Sequence, residues 1–412
     1  MKILILLFSL MVSMAQAATY EVPSQQGALQ ALFSQGGIVS GDIILLGDGN
    51  HGTLELRTAA FADRVTIKSK NKLKAHFDSI YVRAPSANLA FLSISVWPTE
   101  PYKHSGDHVA TEFGTSKIIF NGLDIRGGAD GTNFMAWSAD EWLKRSANGI
   151  WLSGDKSAVL NTKITGVNFG AYVLGADSRA VGNVINGFHG DGIRGQGNRS
   201  SFKDNIITNC FTVNDNHSDG FQAHTDPAHP ISGLIIERNV IIEWNLGPNP
   251  LRCGLQGIGM FDGWYDKLTI RNNIIVVSHG HGIGVMGVRG GIISFNTAVS
   301  ANGLRGDYPW IAVFPLKDGT KSSNVVVANN LAMSISNKVV DGVTYVGNSQ
   351  IIEPQFSFLD LKTYVPTLMD SADPAYTVPV DNYGHARPFG SGNDVGAVEA
   401  GSTLPKRPTT FR

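Results

Sequence analysis

Two similar phrases in the middle of the sequence carry residues that could perform acid–base chemistry. HGDGIR occupies residues 189–194 and HSDGFQ occupies residues 217–222. A histidine can take up a proton near neutral pH, and a neighbouring aspartate can hold its ring in one tautomer. The arginine or glutamine that ends each phrase could bind a carboxylate. The two phrases therefore predict proton abstraction beside a bound carboxylate, provided that the fold brings them together.

Both phrases belong to a longer repeat. Glycine recurs in six related segments: NGIW (148–151), FGAY (169–172), DGIR (191–194), DGFQ (219–222), QGIG (256–259) and HGIG (281–284). Asparagine recurs downstream, at Asn161, Asn183, Asn205, Asn239, Asn273, Asn296 and Asn330. We interpret the shortest spacing between successive asparagines as one turn of a parallel β-solenoid, and the longer spacings as turns with roughly a dozen inserted loop residues. A propeller is disfavoured because it needs about 40 to 50 residues in every blade. We expect each asparagine to bend the chain in the left-handed region.

Stacking of these turns predicts a shared face. Equivalent residues of successive turns would lie about 4.8 Å apart, and neighbours of an inward residue would point outward. The apolar residue after each glycine gives the inward column: Ile150, Ile193, Phe221, Ile258 and Ile283. The flanking outward columns contain His189, Asp191, Arg194, His217, Asp219, Gln222, Gln256, His279 and His281. Trp151 and Tyr172 would close one end of this face, and Gly259 and Gly284 would leave room at the other, which predicts a groove for a polymer.

The rest of the chain indicates an exported, single-domain protein. Residues 1–17 read as a signal peptide, with Lys2, an apolar core and the small-x-small site Ala15-Gln16-Ala17, so we expect a secreted or periplasmic product. We assign residues 18–412 to one domain, with an N-terminal capping helix that Ser24 begins, regular coils over about 148–340 and a C-terminal cover over about 350–400. Residues 127–147 and the other long segments would be inserted loops.

Composition narrows the partners. The chain has 47 glycines, 16% charged residues and a net charge of −1, which is typical of a rigid, turn-rich protein and not of one that coats nucleic acid. We expect a monomer with no nucleic-acid or membrane partner. Cys210 and Cys253 lie at the edges of inserted loops in neighbouring turns, and they either form a disulfide that pins those loops or are two packed thiols.

Several of these features together resemble a known family. The opening strand, helix and GDIILLGDG (41–49), the asparagine ladder, the DGI and DGF turns and the terminal ARPFGSGNDVGAVE (386–399) resemble the secreted right-handed parallel β-helix proteins of the pectate-lyase superfamily. The resemblance covers nearly the whole mature chain, and its central segment is most similar to bacterial uronate-polysaccharide lyases of the alginate-lyase type. It implies an all-β, right-handed parallel β-helix (solenoid) with an N-terminal capping helix and inserted loops that form a groove. This architecture hosts lyases, hydrolases, C5-epimerases and phage adhesins, so the name alone assigns no residue a role.

The residues favour β-elimination at a uronate of a polymer such as alginate or glucuronan. His189 or His217 would remove the C5 proton, with Asp191 or Asp219 fixing its tautomer. The remaining candidates would bind the substrate: Arg194, Gln222 and Gln256 at its carboxylate, His224, His279 and His281 along the groove, and Arg252, Arg289 and Lys317 as added positive charge. Tyr265 or Tyr308 would protonate the leaving oxygen.

Other functions stay open at this point. A C5-epimerase shares the proton abstraction, an inverting glycoside hydrolase would use Asp191 and Asp219, and a non-catalytic protein would only bind glycans. We expect no metal at the site, because calcium usually takes more carboxylates than this cluster offers. A Ca²⁺-assisted reaction that uses the same two aspartates stays open. Trp137, Trp142 and Trp151 either present flat faces to sugars or cover the core. Lys203, Glu237 and Arg271 share another column and predict a ladder of ion pairs on a different face.

Overall fold

Parallel β-strands dominate the architecture. The structure is a computed structural model that describes residues 17–100, 106–301, 308–336, 341–351 and 369–399. Within these residues the strands form three sheets that run along the whole stack, and each coil contributes to sheet 1, then sheet 2, then sheet 3. The predicted parallel β-solenoid is confirmed. The predicted signal peptide covers residues 1–17, of which residues 1–16 lie outside the described part of the chain. No described helix is long and apolar enough to cross a bilayer.

The strands are short, as expected for a coil that must turn three times. Sheet 1 contains Thr19–Val22, Ile43–Leu46, Ala60–Ser69, Ala87–Leu92, Ile119–Asn121, Ala158–Leu160, Arg179–Val181, Ser201–Lys203, Ile231–Ser232, Ile235–Glu237, Tyr265–Arg271, Val288–Ser294, Ser323–Ala328 and Val343–Val346. Sheet 2 contains Gly49–Asn50, Ala75–Phe77, Ser95–Val96, Asp124–Arg126, Lys163–Val167, Val184–Phe188, Ile206–Cys210, Val240–Ile242, Ile274–Val277, Thr297–Ser300, Leu331–Ala332 and Ser349–Gln350. Sheet 3 contains Thr53–Leu56, Ser79–Val82, Asp107–Thr111, Asn148–Leu152, Ala171–Val173, Ile193–Gly195, Asp219–His224, Gln256–Phe261, His281–Met286, Trp310–Phe314 and Ser334–Ile335.

The helices are few and lie outside the coils. Helix α1 is Ala28–Ser34, and its apolar side packs against the first coils, as a cap should. It begins after Gly27 without a side-chain cap, so the predicted capping by Ser24 is wrong. A 3₁₀ helix, Gly131–Ala136, and helix α2, Ala139–Arg145, form the insertion that precedes the regular coils. Ser138 and Glu141 close a capping box at the start of α2.

The apolar residues after the repeated glycines form the core of sheet 3. Ile150, Ala171, Ile193, Phe221, Ile258 and Ile283 pair in register on successive coils. All of them are buried, which confirms the predicted inward column. Burying one such side chain contributes roughly 1.5–3 kcal/mol, so the column stabilises the stack while leaving its neighbours to face outward.

The asparagine ladder runs inside the turn between sheets 1 and 2. Asn239 is representative: its Nδ2 donates to the carbonyl of Phe202 at 3.0 Å and to Oδ1 of Asn273 at 3.0 Å. The prediction that these asparagines adopt the left-handed region is confirmed at Asn161, with φ 48°, and is wrong for the six later ones. The residue before each of those six adopts it instead, as Arg238 does with φ 54°. The ladder therefore satisfies buried backbone groups, while the preceding residue makes the bend.

The first rung of the ladder also differs from the prediction. Asn161 is exposed and donates to Asn121, whereas Thr162 occupies the ladder position. The backbone N–H of Thr162 donates to Oδ1 of Asn183 at 3.0 Å, which is the contact that a ladder asparagine makes. The hydroxyl of Thr162 accepts the backbone N–H of Leu123 at 3.3 Å, so a threonine continues the ladder to the preceding coil.

Two separate segments cover the outer face of sheet 2. Phe134, Trp137 and Trp142 of the helical insertion pack with Phe211 and Trp244 into a second apolar cluster. Further along, residues 369–399 pack against sheet 2 through a cluster that includes Val276, Val395 and Val398. We predicted a cover over the last coil, but this segment lies along the side of several coils, as the bond from Asn382 Nδ2 to the carbonyl of Asn272 shows.

The inserted residues collect on both edges of sheet 3. Residues 211–218 and 243–255 precede its strands, and residues 225–230 and 315–322 follow them. Cys210 and Cys253 are joined by a disulfide that ties two of these insertions together, so the disulfide alternative is confirmed. With sheet 2 covered and loops raised beside sheet 3, the outer face of sheet 3 becomes the floor of a groove.

Candidate functional site

A groove of about 460 Å³ lies on the outer face of sheet 3. Its described lining comes from four consecutive coils and the adjacent insertions: Arg194, Asn216, His217, Gln222, Ala223, His224, Gln256, Phe261, Asp262, His281 and Lys317. The strand register places Arg194 opposite Gln222, and Gln222 opposite Gly259. Seven of the predicted site residues therefore line the groove, and the repeat had placed five of them on this face.

Arg194 is the cation at one end of the groove. Its Nε donates to Oδ2 of Asp191, whose side chain is fully buried below. The guanidinium lies 4.4 Å from the ring centre of Phe169 and 5.7 Å from that of Tyr172. An ion pair on one edge and two aromatic rings fix the guanidinium plane where it lines the groove, an orientation that suits a planar anion.

Asp191 and Asp219 form a buried pair of carboxyls beneath this wall. Asp191 Oδ1 accepts the backbone N–H of Asp219 at 2.9 Å, and Asp219 Oδ2 accepts Nε2 of Gln222 at 3.0 Å. Burial raises the pKa of Asp191 although Arg194 opposes it. Burial and the charge of Asp191 raise the pKa of Asp219 well above its ordinary value. The two aspartates therefore hold Arg194 and Gln222 in place instead of facing the groove.

His217 is the exposed histidine of the site. It stands in the 211–218 insertion with 71% of its side chain accessible, and its Nδ1 lies 3.7 Å from Oδ2 of the buried Asp219. This separation is longer than a hydrogen bond, so the two side chains are neighbours but Asp219 does not fix the tautomer of His217, contrary to the prediction. The imidazole is open to a bound substrate.

His281 and His224 line the groove as neutral rings. Burial, followed by the charges of His279 and His217, lowers the pKa of His281 to about 4. Its Nδ1 lies 2.7 Å from Oε1 of Gln256, and because a carbonyl oxygen only accepts, Nδ1 carries the proton. Burial and then Arg194 lower the pKa of His224. At neutral pH these two rings supply hydrogen bonds and contact area but no charge.

His189 does not face outward, contrary to the prediction. It is buried, its ring packs against Trp142, and its Nε2 lies 2.7 Å from the hydroxyl of Ser146. Burial lowers its pKa to about 4. The cause is the helical insertion, which covers this end of the column. His189 therefore supports the wall, and its carbonyl accepts the hydroxyl of Ser218 at 3.0 Å.

Other predicted binding residues lie away from the described lining. Arg252 pairs with the buried Glu243 at 2.7 Å, and Arg289 pairs with Asp266 at 2.6 Å on sheet 1. Tyr265 is fully buried and donates to the carbonyls of Ala223 and Phe261, and burial raises its pKa strongly, so it is not placed to protonate a leaving group.

The two remaining predicted residues, His279 and Tyr308, are not part of the described lining. His279 Nδ1 accepts the backbone N–H of His281 at 3.1 Å, so it supports that ring from behind. Tyr308 is exposed. Lys317 does line the groove, where it pairs with Asp262.

The tryptophans divide between the two roles considered for them. Trp137 and Trp142 are buried and cover the core, so they present no face to a sugar. Trp151 is half-buried and packs against Tyr172 with ring centres 3.9 Å apart, next to the Arg194 end of the groove. Three further lining residues were not predicted. Phe261 and Asp262 follow the end of a repeated phrase, and Asn216 lies in the 211–218 insertion.

The donor set does not suit a calcium ion. Asp191 uses one oxygen for Arg194 and the other for a backbone N–H, and Asp219 is buried with its Oδ2 bonded to Gln222. Calcium takes six to eight oxygen ligands, and among the described residues no group of three or more His, Cys, Asp or Glu side chains could hold a metal ion. The calcium variant of the reaction therefore receives no support from these two aspartates.

Comparison with known proteins identifies the fold. A family model described as a right handed beta helix region matches residues 148–298. The Dettilon tailspike protein has a TM-score of 0.56 and 14% identity over 78% of this chain and 62% of its own, so this chain spans less than two thirds of the tailspike. The PL6 family polysaccharide lyase Pedsa3628 from Pseudopedobacter saltans has a TM-score of 0.50 and 12% identity over 81% of this chain and 92% of its own.

A further solved structure, the pectate lyase Pel9A, has a TM-score of 0.49 and 15% identity over 94% of this chain and 98% of its own. No curated protein sequence matches this chain. The chain has the right-handed parallel β-helix fold, and the fold resemblance seen in the sequence is confirmed.

Proposed function

We propose that this right-handed β-helix protein is a secreted or periplasmic polysaccharide lyase that cleaves a uronic-acid-containing polymer by β-elimination in the groove of sheet 3. One observation carries the proposal. The guanidinium of Arg194 and the imidazole of His217 line the same groove, and each stands on a buried carboxyl. A cation for the substrate carboxylate and a base for the adjacent carbon are the two groups that this reaction requires.

Arg194 would neutralise the uronate carboxylate. Its Nε is engaged by Asp191, so the outer N–H groups would meet the substrate. Gln222 and Gln256 follow on the next two coils and would add amide donors to the same carboxylate or its hydroxyl neighbours. Because these groups are already fixed by the coils, little reorganisation is needed when negative charge develops on the carboxylate.

His217 would act as the base. It would take the proton from C5, the electrons of that bond would form the double bond between C4 and C5, and the C4–oxygen bond would break. The same imidazolium could then return the proton to the leaving oxygen, which balances the reaction without a tyrosine.

Hydrolysis fits the groove less well. An inverting hydrolase needs an acid and a base carboxyl on opposite sides of the scissile bond. Asp191 and Asp219 are buried, and within the described lining the carboxylate that reaches the groove is Asp262, which pairs with Lys317. The amide, guanidinium and imidazole groups therefore favour elimination.

A product assay separates the candidate reactions. The purified mature chain is incubated with alginate, glucuronan, pectate and bacterial exopolysaccharides, with and without chelator. Unsaturated uronate is followed by its ultraviolet absorbance, and reducing ends are counted in parallel. A lyase raises both together. Reducing ends without unsaturation would indicate hydrolysis, a changed uronate configuration without cleavage would indicate epimerisation, and binding without any change would indicate a glycan-binding protein. Each of those three results would overturn the proposal.

A further inference from the structure

The end of the groove opposite Arg194 is aromatic. Phe261, His281, Trp310 and Phe314, which we call the aromatic end, are all half-buried on neighbouring coils. The ring centre of Trp310 lies 4.5 Å from that of His281 and 5.2 Å from that of Phe314. Phe261 and His281 line the groove itself, and Trp310 and Phe314 continue the aromatic surface on the next coil.

Two glycines form the floor beneath these rings. Gly259 and Gly284 occupy the outward column in which Arg194 and Gln222 stand on the earlier coils. A Cβ at Gly284 would lie 2.9 Å from Cζ3 of Trp310. One at Gly259 would clash with Oδ1 of Asp219 and would lie 2.8 Å from Cε2 of Phe261. The missing side chains therefore leave room for the buried carboxyl as well as for the two rings that lie across the sheet. The sequence predicted open space at Gly259 and Gly284, and in the structure aromatic rings occupy that space.

The charges of the described lining are nearly balanced. Arg194 is paired with Asp191, and Lys317 is paired with Asp262. The histidine in the aromatic end, His281, is neutral at ordinary pH for the reasons given above. A polymer with a carboxylate on every sugar would bring several unmatched negative charges into this groove. A polymer with widely spaced carboxylates would not.

The spacing between successive coils gives the distance from Arg194 to the aromatic end. Arg194, Gln222, Gly259 and Gly284 lie on successive coils, which places the last roughly 14 Å from the first at about 4.8 Å per coil. A few linked sugars therefore span the groove. One would have its carboxylate at Arg194 while a later one lies against the aromatic end.

We propose that the groove binds a uronate at Arg194 and stacks an uncharged pyranose on Phe261 and Trp310, so that the preferred substrate is a heteropolysaccharide in which uncharged sugars separate the uronates. This inference rests on the proposed lyase function. The apolar face of a pyranose packs on an aromatic ring, and a hydroxylated ring without a carboxylate meets no unbalanced charge there. The aromatic end would thus select against homopolymers of uronate.

Initial rates of unsaturated product test the inference directly. The probes are three homopolyuronates (polymannuronate, polyguluronate and glucuronan) and three polymers in which uncharged sugars separate glucuronates (hyaluronan, heparosan and gellan). We expect kcat/KM to be at least tenfold higher on one or more of the second group than on any of the first. Homopolyuronates cleaved as well or better would overturn the inference and leave the lyase function standing. No unsaturated product from any polymer would overturn both.

Variants of the aromatic end give a second readout. Trp310→Ala should lower kcat/KM on the preferred heteropolymer about tenfold, mainly through KM, while Trp310→Phe retains most of the activity. Trp264→Ala is the matched control, because Trp264 is a half-buried tryptophan covered by Arg289 on sheet 1. Unfolding by circular dichroism checks that both alanine variants fold. A folded Trp310→Ala variant with unchanged KM would contradict the stacking role.

Discussion

The outer faces of sheets 1 and 3 both carry acidic and basic residues, but the ion pairs serve different functions on the two sheets. On sheet 1, Glu237 pairs with Lys203 and Arg271 of the flanking coils at 3.0 Å each, which confirms the predicted ladder of ion pairs. Lys203 and Arg271 lie at the surface, and the carboxylate of Glu237 balances their positive charges. On sheet 3, Asp191 is buried, and it pairs with an arginine of its own coil that faces a groove. Both carboxylates are buried, but Glu237 is shared among Lys203, Arg238 and Arg271. Asp191 instead binds an arginine of its own coil, and that guanidinium lines the groove.

Removal of the exposed imidazole should have the largest effect on activity. We expect His217→Ala to lower kcat by roughly 10²–10⁴-fold, the range for losing a general base, with little change in stability because the side chain is largely exposed. Initial rates of unsaturated product measure this. His229→Ala is the control, since His229 is equally exposed and paired with Asp226 outside the described lining. Equal losses in both variants would remove His217 from the reaction.

Arg194→Ala should follow, with a loss in kcat/KM of roughly 10²–10³-fold, because the transition-state carboxylate would lose its guanidinium. Arg194→Lys should recover only part of the activity, since an ammonium cannot reproduce the planar contacts with Phe169. Arg289→Ala tests the comparison between the sheets. Like Arg194, Arg289 pairs with an aspartate and lies over an aromatic ring, but its partners, Asp266 and Trp264, belong to the sheet 1 side. If it lost as much activity as Arg194→Ala, the distinction between the two faces would fail.

The repeat made the fold and the main part of the groove predictable. The column of Arg194, Gln222, Gly259 and Gly284 follows from strand alternation and from the position of the repeated glycines, both of which are local properties of the sequence. The same alternation correctly separated the sheet 1 ladder from the groove. These features required no knowledge of the loops.

Features that depend on insertions were not predictable in this way. His189 belongs to the right column, but α2 folds back over it through contacts distant in the sequence and buries it. Trp310 was missed because the register shifts between His281 and Ile283, so the repeat no longer marks its position. Tyr265 was chosen for its chemistry, and its strand turns it into the core. In each case tertiary packing, and not local pattern, decided the outcome.

The sheet 1 ladder should matter for stability and not for catalysis. Burial alone would raise the pKa of Glu237, but Lys203, Arg238 and Arg271 together lower it. A depressed pKa means that the carboxylate stabilises the fold above its unfolded pKa and loses this contribution as the pH falls through its folded value. Glu237→Gln should therefore lower the free energy of unfolding at neutral pH by about 1–2 kcal/mol, since its partners are partly exposed. Denaturant unfolding at neutral pH measures this, and unchanged turnover confirms the separation from the groove.

Asp219 should show the opposite sign, with the smallest effect. Its pKa is raised by burial and by Asp191, so the folded protein holds a proton that the unfolded chain releases. Stability from this group is fully present below the unfolded pKa and declines as the pH rises toward the folded value. Asp219→Asn removes this decline, while its amide keeps an acceptor for Gln222. We expect the variant to gain, within about 1 kcal/mol, on the wild type between acidic and neutral pH. Unfolding curves across that range, set beside those of Glu237→Gln, should diverge in opposite directions, because cations offset the burial of Glu237 but not that of Asp219. Parallel curves would mean that both carboxyls are ionised in the fold and that the two faces do not differ in this respect.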